Sequence, residues 1–91
     1  MRDLKPNTLT LLMFRYQSPY IPLERVIEDF FTHLSLVVAK RRALKQDLPF
    51  PVFRAENSAK APYLVRIEEL AFYLDKQAEI ANQDFKNMNG K

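Results

Sequence analysis

Apolar residues at Leu23, Val26, Ile27, Phe30 and Phe31 recur at three- and four-residue steps, and Glu24, Arg25, Glu28 and Asp29 fill the positions between them. That period turns every apolar side chain to one side, so the segment predicts an amphipathic helix burying a single stripe. Pro22 suits its first position, where the missing N–H would have had no intrahelical partner. The same steps return in Ile67, Leu70, Ala71, Leu74, Ala78, Ala81 and Phe85, predicting a helix from near Arg66 to about Phe85. Glu68 and Glu69 fall in its first turn, where the helix dipole favours negative charge. Thr8–Tyr16 is ambiguous. Thr8 and Thr10 alternate with Leu9 and Leu11 as in a strand, whereas Asn7 or Thr8 would cap a helix. A short helix is the expectation there, followed by a turn over Gln17–Pro22 with Tyr20–Ile21 extended.

Between the two clear helices lies a basic segment. Ser35 suits the N-cap of a helix running to about Gln46, joined to the preceding helix by the short stretch Thr32–Ser35. An amphipathic helix, a tight connection and a basic helix describe a helix-turn-helix. Leu48-Pro49-Phe50-Pro51-Val52-Phe53-Arg54 cannot be helical and reads as extended. Ala55–Ala61 is small and polar, and Pro62-Tyr63-Leu64-Val65 is extended again, which makes a hairpin where a wing would lie. The expected fold class is mainly α: a winged helix-turn-helix of three to four helices with a short two-stranded β-hairpin wing. Its domain spans residues 1–86, with a frayed tail at 87–91.

A helical wheel of the basic helix puts Ala39, Ala43, Leu36 and Asp47 in one quadrant. The small residues let it pack closely on Val26, Ile27 and Phe30. Arg41, Lys45 and Val38 occupy the opposite pole, Arg42 and Val37 flank it, and Lys40 lies near the buried edge with a stem long enough to reach outwards. Arginine pairs bidentately with guanine, lysine meets phosphates and valine contacts a thymine methyl, so this face suits a major-groove reader. Core packing against the N-terminal segment is the competing reading for Val37 and Val38, and plain solvent exposure for Arg41 and Lys45. The candidate DNA-binding residues are Ser35, Val38, Lys40, Arg41, Arg42 and Lys45 on this helix, with Arg54 and Lys60 from the wing.

Charge sharpens this picture. The net charge of the chain is only +3, but residues 33–66 hold Lys40, Arg41, Arg42, Lys45, Arg54, Lys60 and Arg66 against Asp47 and Glu56 alone. Such concentration suits a face that meets a polyanion. With no cysteine and one histidine, His33, disulfides and thiolate metal sites are excluded. His33 follows a helix end, where a capping or solvent-facing role is expected. Tyr63, Phe72 and Tyr73 are expected to pack in the core or at the wing base. One glycine rules out a glycine-rich phosphate loop, and no catalytic set can be built from spacing, so no enzyme, cofactor or metal is expected. No apolar run approaches the roughly 18 residues of a membrane span. A cytoplasmic, nucleoid-associated protein is the expectation.

Several stretches together carry a family resemblance. They are Thr8-Leu9-Thr10-Leu11-Leu12-Met13 with Tyr16, Ile21-Pro22-Leu23 through Asp29-Phe30-Phe31, His33-Leu34-Ser35 and Lys40-Arg41-Arg42. Pro51-Val52-Phe53-Arg54, Ser58-Ala59-Lys60 and Glu69-Leu70-Ala71-Phe72-Tyr73-Leu74-Asp75 complete the set. In this order the chain resembles the pyocin activator protein (PrtN-like) family over residues 8–77, and through it excisionase-like winged-helix proteins. The resemblance implies a regulator that binds a promoter element in double-stranded DNA and switches on a prophage or phage-tail-bacteriocin operon. RNA polymerase is a further contact it suggests. A homo-oligomer on DNA is expected from the apolar pattern itself, which continues through Ala78, Ala81 and Phe85 past the winged-helix core. Phe85 folding back onto its own N-terminal segment is the competing reading, and no membrane partner is expected. The chain departs from the family pattern with Gln46 where a glycine usually ends the basic helix, Leu36 where proline is common, and Ala39 and Ala43 in place of larger aliphatics. An excisionase-like architectural factor would use the same helix and wing to bend DNA. A protein-interaction or anti-repressor module would turn the same basic face to an acidic partner.

Overall fold

The computed structural model describes residues 7–89. Along them run α1 (Thr8–Tyr16), β1 (Tyr20–Pro22), α2 (Leu23–Phe30), α3 (Leu36–Leu44), β2 (Phe53–Arg54), β3 (Tyr63–Arg66) and α4 (Ile67–Asn89). The architecture is mainly helical and winged-helix-like, with a small antiparallel sheet ordered β1-β3-β2.

The ambiguous first segment is a helix. Asn7 caps it, its side-chain oxygen accepting from the Thr10 N–H at 2.8 Å, and Gln17 ends it in the left-handed region at φ 54°. Leu12 is buried, with Leu9 and Tyr16 packed beside it. Thr8 donates its hydroxyl to Asp75, which ties the start of α1 to α4. The Tyr16 phenol donates to the Asp29 carboxylate of α2, and Arg15 reaches the same oxygen at 3.3 Å.

The sheet has one strand more than the expected hairpin. Ile21 registers with Val65 while Phe53 registers with Leu64, so β3 is the central strand. Ile21 and Val65, 1% and 0% exposed, place this pairing in the core, where the buried apolar side chain of each contributes about 1.5–3 kcal/mol. Pro22 both closes β1 and stands as the N-cap of α2, one position earlier than the sequence suggested. Its fixed φ near −58° serves both elements. Leu23, Val26 and Ile27 then bury the predicted stripe.

Two helix ends differ from expectation. The basic helix stops at Leu44, since Gln46 takes φ 53° and donates its side-chain N–H to the Val52 carbonyl at 2.9 Å. With the helical repeat over, Asp47 is exposed and not in the buried quadrant. α4 continues past Phe85 to Asn89, so residues 87–89 are helical, while Gly90 and Lys91 lie outside the described residues. Tyr73 packs as expected, its ring 5.8 Å from both Phe31 and Phe50. Phe72 does not. It is exposed, with Lys76 Nζ 5.5 Å from its ring centroid.

Candidate nucleic-acid interface

α3 is held at its first turn by Ser35, whose Oγ accepts from the Val38 N–H at 3.2 Å. Ala39 and Ala43, 0% and 1% exposed, press the helix against the core as the wheel required. The side turned outward carries Val37 and Leu44, each 68% exposed, with Lys40, Arg41 and Lys45 exposed around them. Val37, Arg41 and Leu44 are spaced i, i+4, i+7 and form one stripe along a helix about 14 Å long. Two apolar side chains therefore bracket an arginine.

The hairpin between β2 and β3 is built around Arg54. Its Nη1 donates to the carbonyls of Ser58 and Ala59 at 3.1 and 2.8 Å, and its Nη2 to the Tyr63 hydroxyl at 2.7 Å. The guanidinium also lies 4.5 Å from the Tyr63 ring centroid, a stacking arrangement that a planar cation favours. The fork thus ties the loop tip to both strands. The Ser58 Oγ accepts from the Lys60 N–H at 3.2 Å, which sets the turn that presents the exposed Lys60 side chain.

α3 and the hairpin enclose an open groove of about 760 Å³. Val37, Lys40, Arg41 and Leu44 line one wall, and Arg54 with Ala59–Tyr63 lines the other. Four cationic side chains and no acidic one stand among these lining residues. The groove thus combines apolar side chains with a concentration of positive charge.

Of the candidate residues, the structure brings Lys40, Arg41, Arg54 and Lys60 together at this groove. Lys45 is exposed just past the end of α3, and Val38 is half-buried on its flank. Ser35 spends its hydroxyl on the cap. Arg42 points elsewhere: its Nε and Nη2 donate to the Asp47 carbonyl at 3.0 and 2.8 Å, stapling the chain where α3 ends, on the side of Phe31 and Tyr73. Leu44 also lines the groove and is not among the candidates drawn from the sequence. A leucine seven residues after Val37 on an otherwise basic face was the available signal. His33 is exposed beside Phe31. Among the described residues no group of His, Asp and Glu could hold a metal ion, and no helix is long and apolar enough to cross a membrane.

Compared with known families, residues 8–81 match the one described as pyocin activator protein PrtN. Comparison with curated proteins and with solved structures finds no match.

Proposed function

The chain belongs to the pyocin activator (PrtN) family, and from that premise we propose that it regulates pyocin-type genes by binding double-stranded DNA through the groove between α3 and the hairpin. The carrying observation is the groove itself, in which Lys40, Arg41, Arg54 and Lys60 converge without an opposing carboxylate.

A major groove about 12 Å wide admits an α-helix, whose diameter with side chains is about 10–12 Å. Set there, Arg41 reaches base edges, where bidentate pairing with guanine gives the strongest single discrimination. Val37 and Leu44 on either side offer apolar contact to thymine methyl groups. Lys40 and Lys60 meet phosphates on the two sides of the groove, fixing register and contributing affinity that falls with salt. Arg54 acts mainly by shaping the loop, because three of its five N–H donors are engaged by Ser58, Ala59 and Tyr63. The first N–H groups of α3 that the Ser35 cap leaves free would add a further phosphate contact if this end of the helix meets the backbone.

Selection from a random pool of duplexes with the intact chain tests this reading. The expected outcome is one enriched sequence motif that holds a guanine flanked by thymines. Arg41→Ala should bind the selected duplex more weakly by about 1–3 kcal/mol and lose preference at one base pair, with the melting temperature unchanged. Failure to retain any duplex at low salt would reject DNA binding and favour an acidic protein partner for the same face.

A further inference from the structure

The final helix is two different things along its length. Ile67 and Ala71 are buried in the domain and Leu74 is half-buried. The same stripe then continues at alternating three- and four-residue steps through Ala78, Ala81, Phe85 and Met88, beyond the body of the domain. Every residue from Asp75 to Asn89 is exposed, with Phe85 at 66% and Met88 at 83%. That projecting part is about 22 Å long.

The alternation of three and four is the heptad period of a coiled-coil seam, and no charged residue interrupts it. Lys76, Glu79, Gln83 and Lys86 keep to the outer positions. The order of sizes along the seam matters more. Ala78 and Ala81 come first, and Phe85 and Met88 follow.

We propose that the projecting half of α4 pairs in antiparallel fashion with the same segment of a second copy of this chain. In that arrangement Ala78 of one helix meets Met88 of the other, and Ala81 meets Phe85, so large side chains fill the spaces that small ones leave. Parallel pairing would stack Phe85 on Phe85 and leave the alanines facing each other across a gap. The fit is self-complementary, because each contact occurs twice around one twofold axis, as an isologous dimer requires. A second copy is therefore the occupant whose shape the seam already encodes.

The contact is short for a stable interface, which needs about 1,200 Å² or more in total. Pairing is accordingly weak between free chains and strong at about millimolar concentration, the range reached when two copies are held side by side. This inference stands apart from the DNA reading, and its test uses no DNA.

The natural chain has no cysteine, so disulfides introduced into the full-length protein report geometry without background. Chains carrying Ala78→Cys and chains carrying Met88→Cys are mixed at about 1 mM, the concentration at which pairing is expected, and oxidised. The expected product is the mixed disulfide well in excess of random proportions. Adding Phe85→Glu to both chains should return the products to random proportions while leaving the helical circular dichroism of the domain unchanged. A dominant Ala78→Cys homodisulfide would show parallel pairing and overturn the proposal. Random proportions or no cross-link from the parent pair would overturn it as well.

Discussion

The groove and the projecting half of α4 expose apolar side chains to a similar degree, yet their surroundings differ. Val37 and Leu44 are each 68% exposed and interleaved with Lys40 and Arg41, whereas Phe85 is 66% exposed on a stripe whose cations stand on the other side of the helix. Exposure of an apolar residue says only that a partner is absent. The charge around it says what kind of partner fits. Cations mixed with methyl groups suit the edge of a base pair and its phosphates, while an uncharged seam suits another seam.

Arginine makes the sharper contrast within the groove itself. Arg41 is exposed on α3 with no side-chain hydrogen bond among the described residues, and the Arg54 side chain makes three. Arg54→Ala should therefore destabilise the chain by about 1.5–3 kcal/mol, because it removes three hydrogen bonds from a charged donor and the cation's contact with the Tyr63 ring. Arg54→Lys should not restore it, since a lysine cannot reproduce the fork. Lys60→Ala, by comparison, should leave the melting curve in place. Thermal unfolding of the three variants checks this, and equal melting temperatures would mean that Arg54 is no more structural than Lys60.

A smaller effect separates the domain body from both surfaces. Burial, then the hydrogen bond to Asp29 and that carboxylate's charge, push the Tyr16 phenol from its ordinary 10.0 up to about 12. In the unfolded chain the phenol ionises near 10.0, so its contribution to stability is complete below that value. It is lost as the pH rises from 10.0 towards about 12. Tyr16→Phe should cost about 1 kcal/mol at neutral pH. It should also flatten the decline of stability between pH 10.0 and about 12, read by denaturant titration at each pH. An unchanged alkaline limb would show that another group sets it.

Much of this structure was legible in the residues, and the parts that were not share a cause. The stripe from Leu23 to Phe30, the Ser35 cap and the buried pair Ala39 and Ala43 are local patterns, settled within a few residues by helix geometry. The extension of Tyr20–Ile21 was legible but its place in the sheet was not, because Tyr20–Pro22 pairs with Leu64–Arg66, a partner far along the chain. Arg42 and Arg54 read as free cations for the same reason. What they bind are backbone carbonyls, at Asp47 and at Ser58 and Ala59, whose directions exist only after the chain turns. Gln46 shows how little identity can reveal a turn. It adopts the left-handed φ of 53° without being glycine, tied by its own side chain to Val52. Leu44 was within reach of the helical wheel, which puts it on the same side as Val37 and Arg41.

Salt dependence measures the central claim most directly. Binding of the selected duplex is followed as salt is raised from about 50 to about 200 mM, for the parent chain and for the Lys40→Ala, Arg41→Ala, Lys60→Ala triple variant. If these cations meet DNA, the parent should lose affinity by about a hundredfold over that range, and the triple variant, without the two phosphate-contacting lysines, should show a logarithmic slope shallower by about two. A slope that the triple variant leaves unchanged would place DNA on some other face and contradict the assignment of the groove.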